Sequence, residues 1–172
     1  MRRVVVTGIG TINSTGHNVK DSFKAVVDGV CGIDTITLFD ASEFSVKIAG
    51  EVKDFDPTTV MDKKEVKKAD RFIQLGIKAA LEAMIDSGYV TQEDKKVDAS
   101  IADRFGMISG SGIGGLSTIE RNSIVCETKG SRKVSPFFIP SSLANMLSGF
   151  ISIEHNLRGP SLSHVTACAA ST

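Results

Sequence analysis

Along the chain, short β-branched runs alternate with longer stretches whose apolar positions recur at helical spacing. Residues 3–9 are rich in valine and end in Gly8-Ile9-Gly10, the pattern of a buried strand. Residues 18–27 predict a short helix with Phe23, Val26 and Val27 on one side. Residues 32–57 mix Asp-rich turns with short apolar runs at 36–39 and 46–52. The clearest helix covers residues 70–87. Asp70 can cap it, Phe72, Leu75, Ala79, Ala83 and Met84 form an apolar stripe, and Gly88 ends it. Residues 104–109 read as a second strand leading into a glycine loop, and 116–129 as a helix closed by a Lys129-Gly130-Ser131 turn. A rigid apolar loop at 136–140 precedes a helix at 141–153 and a strand at 160–167. Strands alternating with helices predict an α/β fold with a largely parallel sheet. No repeat, linker or low-complexity segment interrupts it, and 172 residues fit one domain.

Composition narrows the classes of function. Hydrophobic residues make up 41% and charged residues 23%, as in ordinary globular proteins. Lys+Arg and Asp+Glu balance at 20 each, so the overall charge points to neither nucleic acid nor a membrane surface. A charge-driven partner has to be met by a local patch. No run approaches the ~18 consecutive apolar residues of a membrane span. The N-terminus lacks the apolar core of a signal peptide, so the expected compartment is the cytoplasm. Cys31, Cys126 and Cys168 are odd in number, far apart and free of any CxxC pairing. That argues against a disulfide framework or a zinc site and for a reducing environment.

Cys168 stands out among the three. It follows a β-branched run directly and is flanked by Ala167, Ala169, Ala170, Ser171 and Thr172, which leave a substrate room to reach the sulfur. A helix starting here would turn its unpaired N–H groups toward the sulfur and favour the thiolate. A strand–turn–helix junction of this kind makes a nucleophile. Cys31 and Cys126 lack that setting and read as structural. A thiolate nucleophile needs a basic partner, yet His164 lies four residues away on a predicted strand, roughly 13 Å distant at ~3.3 Å per residue. His17 and His155 have no supporting motif. All three histidines read as structural or solvated.

Two further features carry chemistry. Gly110-Ser111-Gly112-Ile113-Gly114-Gly115 follows a strand, opens a helix and satisfies G-x-G-x-x-G, the dinucleotide-binding pattern. The acidic residue expected about 20 positions on is missing, since residues 128–153 hold neither Asp nor Glu. A glycine-lined turn beside a substrate channel fits better. The run Lys63-Lys64-Glu65-Val66-Lys67-Lys68, with Arg71 behind it, and the pair Arg132-Lys133 form two basic clusters on a neutral chain. They suit either a solvated face or a small acidic partner.

Five motifs then occur in one order: Val4-Val5-Val6-Thr7-Gly8-Ile9-Gly10, the 110–115 loop, Ser135-Pro136-Phe137-Phe138-Ile139-Pro140-Ser141, Leu157-Arg158-Gly159-Pro160-Ser161 and Thr166-Ala167-Cys168. In this the chain resembles the N-terminal part of the bacterial β-ketoacyl-acyl-carrier-protein synthases, most closely the elongating type II enzymes. The resemblance implies the thiolase-like α/β fold, a duplicated core in five α-β-α-β-α layers, of which residues 1–172 would be the first half. It implies a homodimeric acyltransferase of fatty acid synthesis that performs a decarboxylative Claisen condensation with malonyl thioesters. Cys168 would be the catalytic nucleophile and its backbone N–H one oxyanion donor. Ile113 would line the acyl pocket, and Phe138 would lie at the dimer interface near the partner's pocket. Lys64, Lys67, Lys68, Arg132 and Lys133 would face the acidic acyl carrier protein.

No bound cofactor or metal is implied, because the phosphopantetheine arm arrives on the carrier. The family's catalytic histidines, lysine and second oxyanion donor belong to its C-terminal half, so malonyl decarboxylation falls on no residue present. His155 and His164 do not match those histidines. Two other readings stand beside this one: a fragment limited to dimerisation or carrier binding, and a nucleotide-binding oxidoreductase using the 110–115 loop.

Overall fold

The computed structural model describes residues 3–171, and its organising element is the helix that the sequence marks most clearly. Asp70, in extended conformation, accepts from the Phe72 N–H and starts α3 (Arg71–Asp86); Ser87 caps the other end and Gly88 leaves it with φ of +77°. The buried face of α3 is Ile73, Ile77 and Leu81, one step away from the predicted stripe, whose residues are half-buried. A helix apolar on nearly every side has no unique stripe, and packing chooses the face. These side chains meet Val60, Ala69 and Ile151 in the core.

Ile151 belongs to α6 (Met146–His155), which crosses α3 and also packs on the parallel pair β3 (Met107–Gly110) and β4 (Ser161–His164). The register pairs Met107 with Ser161 and Gly110 with His164. Met107 points into the core and Ser109 is buried, whereas Ile108 and Leu162, on the other face, are 66% and 53% exposed. Among the described residues, helices therefore cover one side of the pair only. His155, fully buried at the end of α6, donates from Nδ1 to the Lys95 carbonyl at 2.6 Å and ties residues 95–97 to the helix.

The remaining elements are α1 (Val19–Val27), the antiparallel pair β1 (Asp34–Thr35) and β2 (Ile48–Ala49), α2 (Lys63–Val66), α4 (Leu116–Lys129) and α5 (Phe138–Ser142). On α1 it is Ser22 and Ala25 that are buried, while Phe23, Val26 and Val27 are exposed.

Three expectations are corrected. Residues 3–9 form no strand, because no neighbouring strand among the described residues offers them a ladder; Val4 is 96% exposed. Carboxylates of α3 hold the segment instead: Asp86 accepts from the Ile9 N–H at 3.0 Å, and Glu82 from those of Thr11 and Val19 at 3.1 and 2.8 Å. The backbone lies so close to α3 that a Cβ on Gly10 would sit 2.1 Å from the Ala79 carbonyl oxygen. Second, residues 136–140 are a loop only at 136–137, since 138–140 open α5. Pro140 sits in the first turn of α5, where a missing N–H costs no helical hydrogen bond. Third, the single helix expected at 141–153 is two, broken at Leu143, whose ψ of 130° is extended.

Glu51 closes the β1–β2 lobe. Its carboxylate accepts from the Thr37 hydroxyl at 2.7 Å and from the Thr37 and Leu38 N–H groups at 3.0 and 3.1 Å. The Thr37 hydroxyl first, and then the Thr37 amide, hold the carboxyl below its ordinary range. A carboxyl depressed in the folded state adds stability above its unfolded pKa of about 4.3, and that stability disappears as pH falls through the folded value. In urea titrations, Glu51→Gln is therefore expected to unfold at lower urea than the parent chain at pH 7, with the gap closing toward pH 3. A gap independent of pH would contradict this role.

Candidate active site

The residues leaving β4 build the sharpest feature of the chain. Ala167 takes φ of +51°, a left-handed value uncommon outside glycine, and turns the backbone into a 3₁₀ segment over Ala167–Ser171. Cys168 sits one residue after the turn, solvent-exposed. The strand–turn–helix junction expected from sequence is thus present as a single short 3₁₀ segment.

The 110–115 loop packs directly on this turn. A Cβ on Gly110 would lie 2.2 Å from the Ala170 carbonyl oxygen, so only glycine allows this backbone-on-backbone approach. The Ser111 N–H donates to the His164 carbonyl at 3.1 Å, extending the β3–β4 ladder to the foot of the turn. Gly114, at φ of +96°, bends the loop against α5, and the Gly115 N–H donates to the Ser142 carbonyl at 2.9 Å. Ile113, at the loop's tip, is 63% exposed, and Phe138, at the start of α5, is half-buried.

Sequence reasoning assigned Asp70 to α3 alone, yet it serves two helices. Its Oδ2 accepts from the Thr118 N–H of α4 at 2.9 Å, and its Oδ1 from the Phe72 N–H at 3.4 Å. The residue is 8% exposed, and no cation pairs with it among the described residues. Two helix N-termini supply the positive field that a buried carboxylate requires. This bears on the dinucleotide reading, in which a pyrophosphate occupies the helix N-terminus behind the glycine loop. At α4 that place is filled by Asp70.

The first basic cluster packs on the segment that follows the second. Lys64 and Lys67 are exposed, as are Arg132 and Lys133 in the 3₁₀ turn Ser131–Lys133. Lys68 pairs with Glu65 and lies 5.6 Å from the centre of the Phe137 ring, while its carbonyl accepts from the Ser141 hydroxyl at 2.7 Å. Segments nearly 70 residues apart in sequence are so held against each other. Asn122, which sequence reasoning passed over, ties the segment after Lys133 to α4: its Oδ1 accepts from the Ser135 N–H at 2.9 Å, and its Nδ2 donates to the Thr118 carbonyl at 2.9 Å. No local motif announces that contact.

None of the histidines hydrogen-bonds Cys168 among the described residues. His17 stands edge-on to Phe55 with centroids 6.1 Å apart, His155 is buried on Lys95, and His164 is exposed at the end of β4. Cys31 and Cys126 are surface thiols and not core residues. No helix among the described residues is long and apolar enough to cross a membrane, and no group of His, Cys, Asp and Glu there is gathered as a metal site.

A glycine loop is seated on the turn that exposes Cys168. The chain belongs to the ketosynthase class: residues 1–172 match the β-ketoacyl synthase N-terminal domain family. It is 46% identical over 167 residues to the 3-oxoacyl-[acyl-carrier-protein] synthase 2 of Coxiella burnetii, covering 97% of this chain and 39% of that protein. The chain thus spans about two fifths of the length of the curated relatives it matches. Among solved structures, the ishigamide ketosynthase/chain length factor superposes with a TM-score of 0.76 at 29% identity, covering 96% of this chain and 40% of that one. A type II polyketide acyl-carrier protein in complex with its ketosynthase bound to the hexaketide gives 0.75 at 24% identity, covering 99% and 43%, a likeness of fold.

Asp70→Ala removes the cap of α3 and leaves the Thr118 N–H unpaired. A loss of about 2 kcal/mol in unfolding free energy is expected from urea titration. A loss below about 0.5 kcal/mol would contradict the double-capping role.

Proposed function

We infer that the chain is the nucleophile-bearing half of an acyltransferase that elongates acyl chains on acyl carrier protein. The observation that carries this reading is Cys168, exposed at a left-handed strand-to-helix turn and abutted by the glycine loop. The Cys168 sulfur attacks the carbonyl carbon of a carrier-bound acyl thioester. The carbonyl oxygen takes up the charge, stabilised by the Cys168 backbone N–H as one oxyanion donor. Collapse breaks the bond to the phosphopantetheine sulfur, which leaves on the carrier as a thiolate and takes up the proton that the Cys168 thiol gave to solvent, and the acyl group remains on Cys168. The second stage, decarboxylative condensation with a malonyl thioester to give the 3-oxoacyl product, is assigned to no residue of this chain.

Ile113, exposed beside the turn, is the proposed acyl-pocket residue, and Phe138 the proposed contact with a second subunit. Lys64, Lys67, Lys68, Arg132 and Lys133 form the proposed docking face for the acidic carrier, supported by their exposed or half-buried positions and by the contact of Lys68 with Phe137, four residues after Lys133. The group that travels with the substrate is the carrier's own phosphopantetheine, so no resident cofactor enters this reading. The uncovered Ile108–Leu162 face supports a layered arrangement in which residues 1–172 form the first domain of a duplicated core.

Incubation with an acyl-acyl-carrier-protein followed by intact mass and peptide mapping is expected to place one acyl group on the peptide containing Cys168. Cys168→Ala is expected to abolish the adduct. An adduct that persists in that variant would sink the reading.

A further inference from the structure

Three residues that the proposed chemistry leaves idle form a continuous hydrogen-bonded chain inside the protein. Asp70 Oδ2 accepts from the Thr118 N–H, the Thr118 carbonyl accepts from Asn122 Nδ2, and Asn122 Oδ1 accepts from the Ser135 N–H. Asp70, Thr118 and Asn122 are 8%, 9% and 8% exposed. Each of the two outer links ends beside a basic cluster. Asp70 follows Lys67-Lys68-Ala69 directly, and Ser135 lies two residues after Lys133. The middle of the chain is the first two turns of α4, the helix that the glycine loop opens.

A buried polar chain of this kind is costly unless every member is satisfied, and satisfied it fixes one geometry. Surface lysines gain little from a fixed position by themselves, because solvent screens them. A partner with a fixed pattern of carboxylates, however, rewards a fixed pattern of cations, since less has to be ordered on binding.

We propose that Asn122 is a positioning residue for carrier recognition: with Asp70 and Thr118 it sets the spacing of the Lys64–Lys67 cluster from the Arg132–Lys133 cluster. It touches neither substrate nor carrier. The inference rests on the docking face proposed above and goes beyond it, because it assigns affinity to a buried neutral side chain.

The test uses fluorescently labelled holo-acyl carrier protein, titrated with the 172-residue chain and followed by anisotropy. Loss of the Asn122–Ser135 link in Asn122→Ala is expected to raise Kd about fivefold. Asn122→Asp keeps the acceptor for Ser135 but loses the donor to the Thr118 carbonyl, and is expected to recover part of that loss. The rate at which iodoacetamide alkylates Cys168 is expected to stay within about twofold of the parent in both variants, since neither touches the turn. Equal Kd values in parent and Asn122→Ala would overturn the inference. So would a rise in Kd matched by a change in the alkylation rate, which would mark general loosening.

A second measurement needs no variant: carrier binding is expected to slow amide hydrogen exchange at Thr118 and Ser135 of the parent chain. Unchanged exchange there, with carrier bound, would count against it. If the parent chain does not bind the carrier at all, the docking face itself fails and this inference with it; binding that is indifferent to Asn122 overturns the inference alone.

Discussion

A single buried carboxylate organises the front of this molecule. Asp70 has no cation beside it among the described residues, and its charge is held by the amides that begin α3 and α4. A buried carboxylate with two hydrogen bonds from helix amides is stabilised by both partial charges at once. The consequence is geometric. With α4 pinned to α3, the 110–115 loop has one path from β3 to α4, and that path runs against the turn of Cys168.

The site itself is made of backbone more than of side chains. Gly110 meets the Ala170 carbonyl, Gly114 bends against Ser142, and the Ser111 amide continues the ladder to His164. Small residues on both sides of Cys168 keep the sulfur open, and the left-handed Ala167 aims the backbone that carries it. The same loop can therefore look like a nucleotide cradle in sequence and act as a shelf for a cysteine in space. What distinguishes the two is the occupant of the α4 N-terminus, which is a carboxylate of the chain itself.

Helices whose ends carry chemical signals were legible in the sequence. Asp70 and Gly88 bound α3 as expected, and Gly130 closes α4. Elements that depend on partners were not. Residues 3–9 have the composition of a strand but no ladder, and the 141–153 helix divides at Leu143 because α5 and α6 pack on different neighbours. The strand end and turn that carry Cys168 were legible because small residues after a β-branched run are a local feature. Asn122 and the second role of Asp70 were not, because their partners lie 13 and 48 residues away and no spacing rule reaches so far.

The most direct measurement is a crystal structure of the chain after incubation with an acyl-acyl-carrier-protein. The account predicts a thioester on the Cys168 sulfur, with the acyl chain running along the 110–115 loop past Ile113. An acyl group bonded to another residue, or one on Cys168 that points away from that loop, would contradict it.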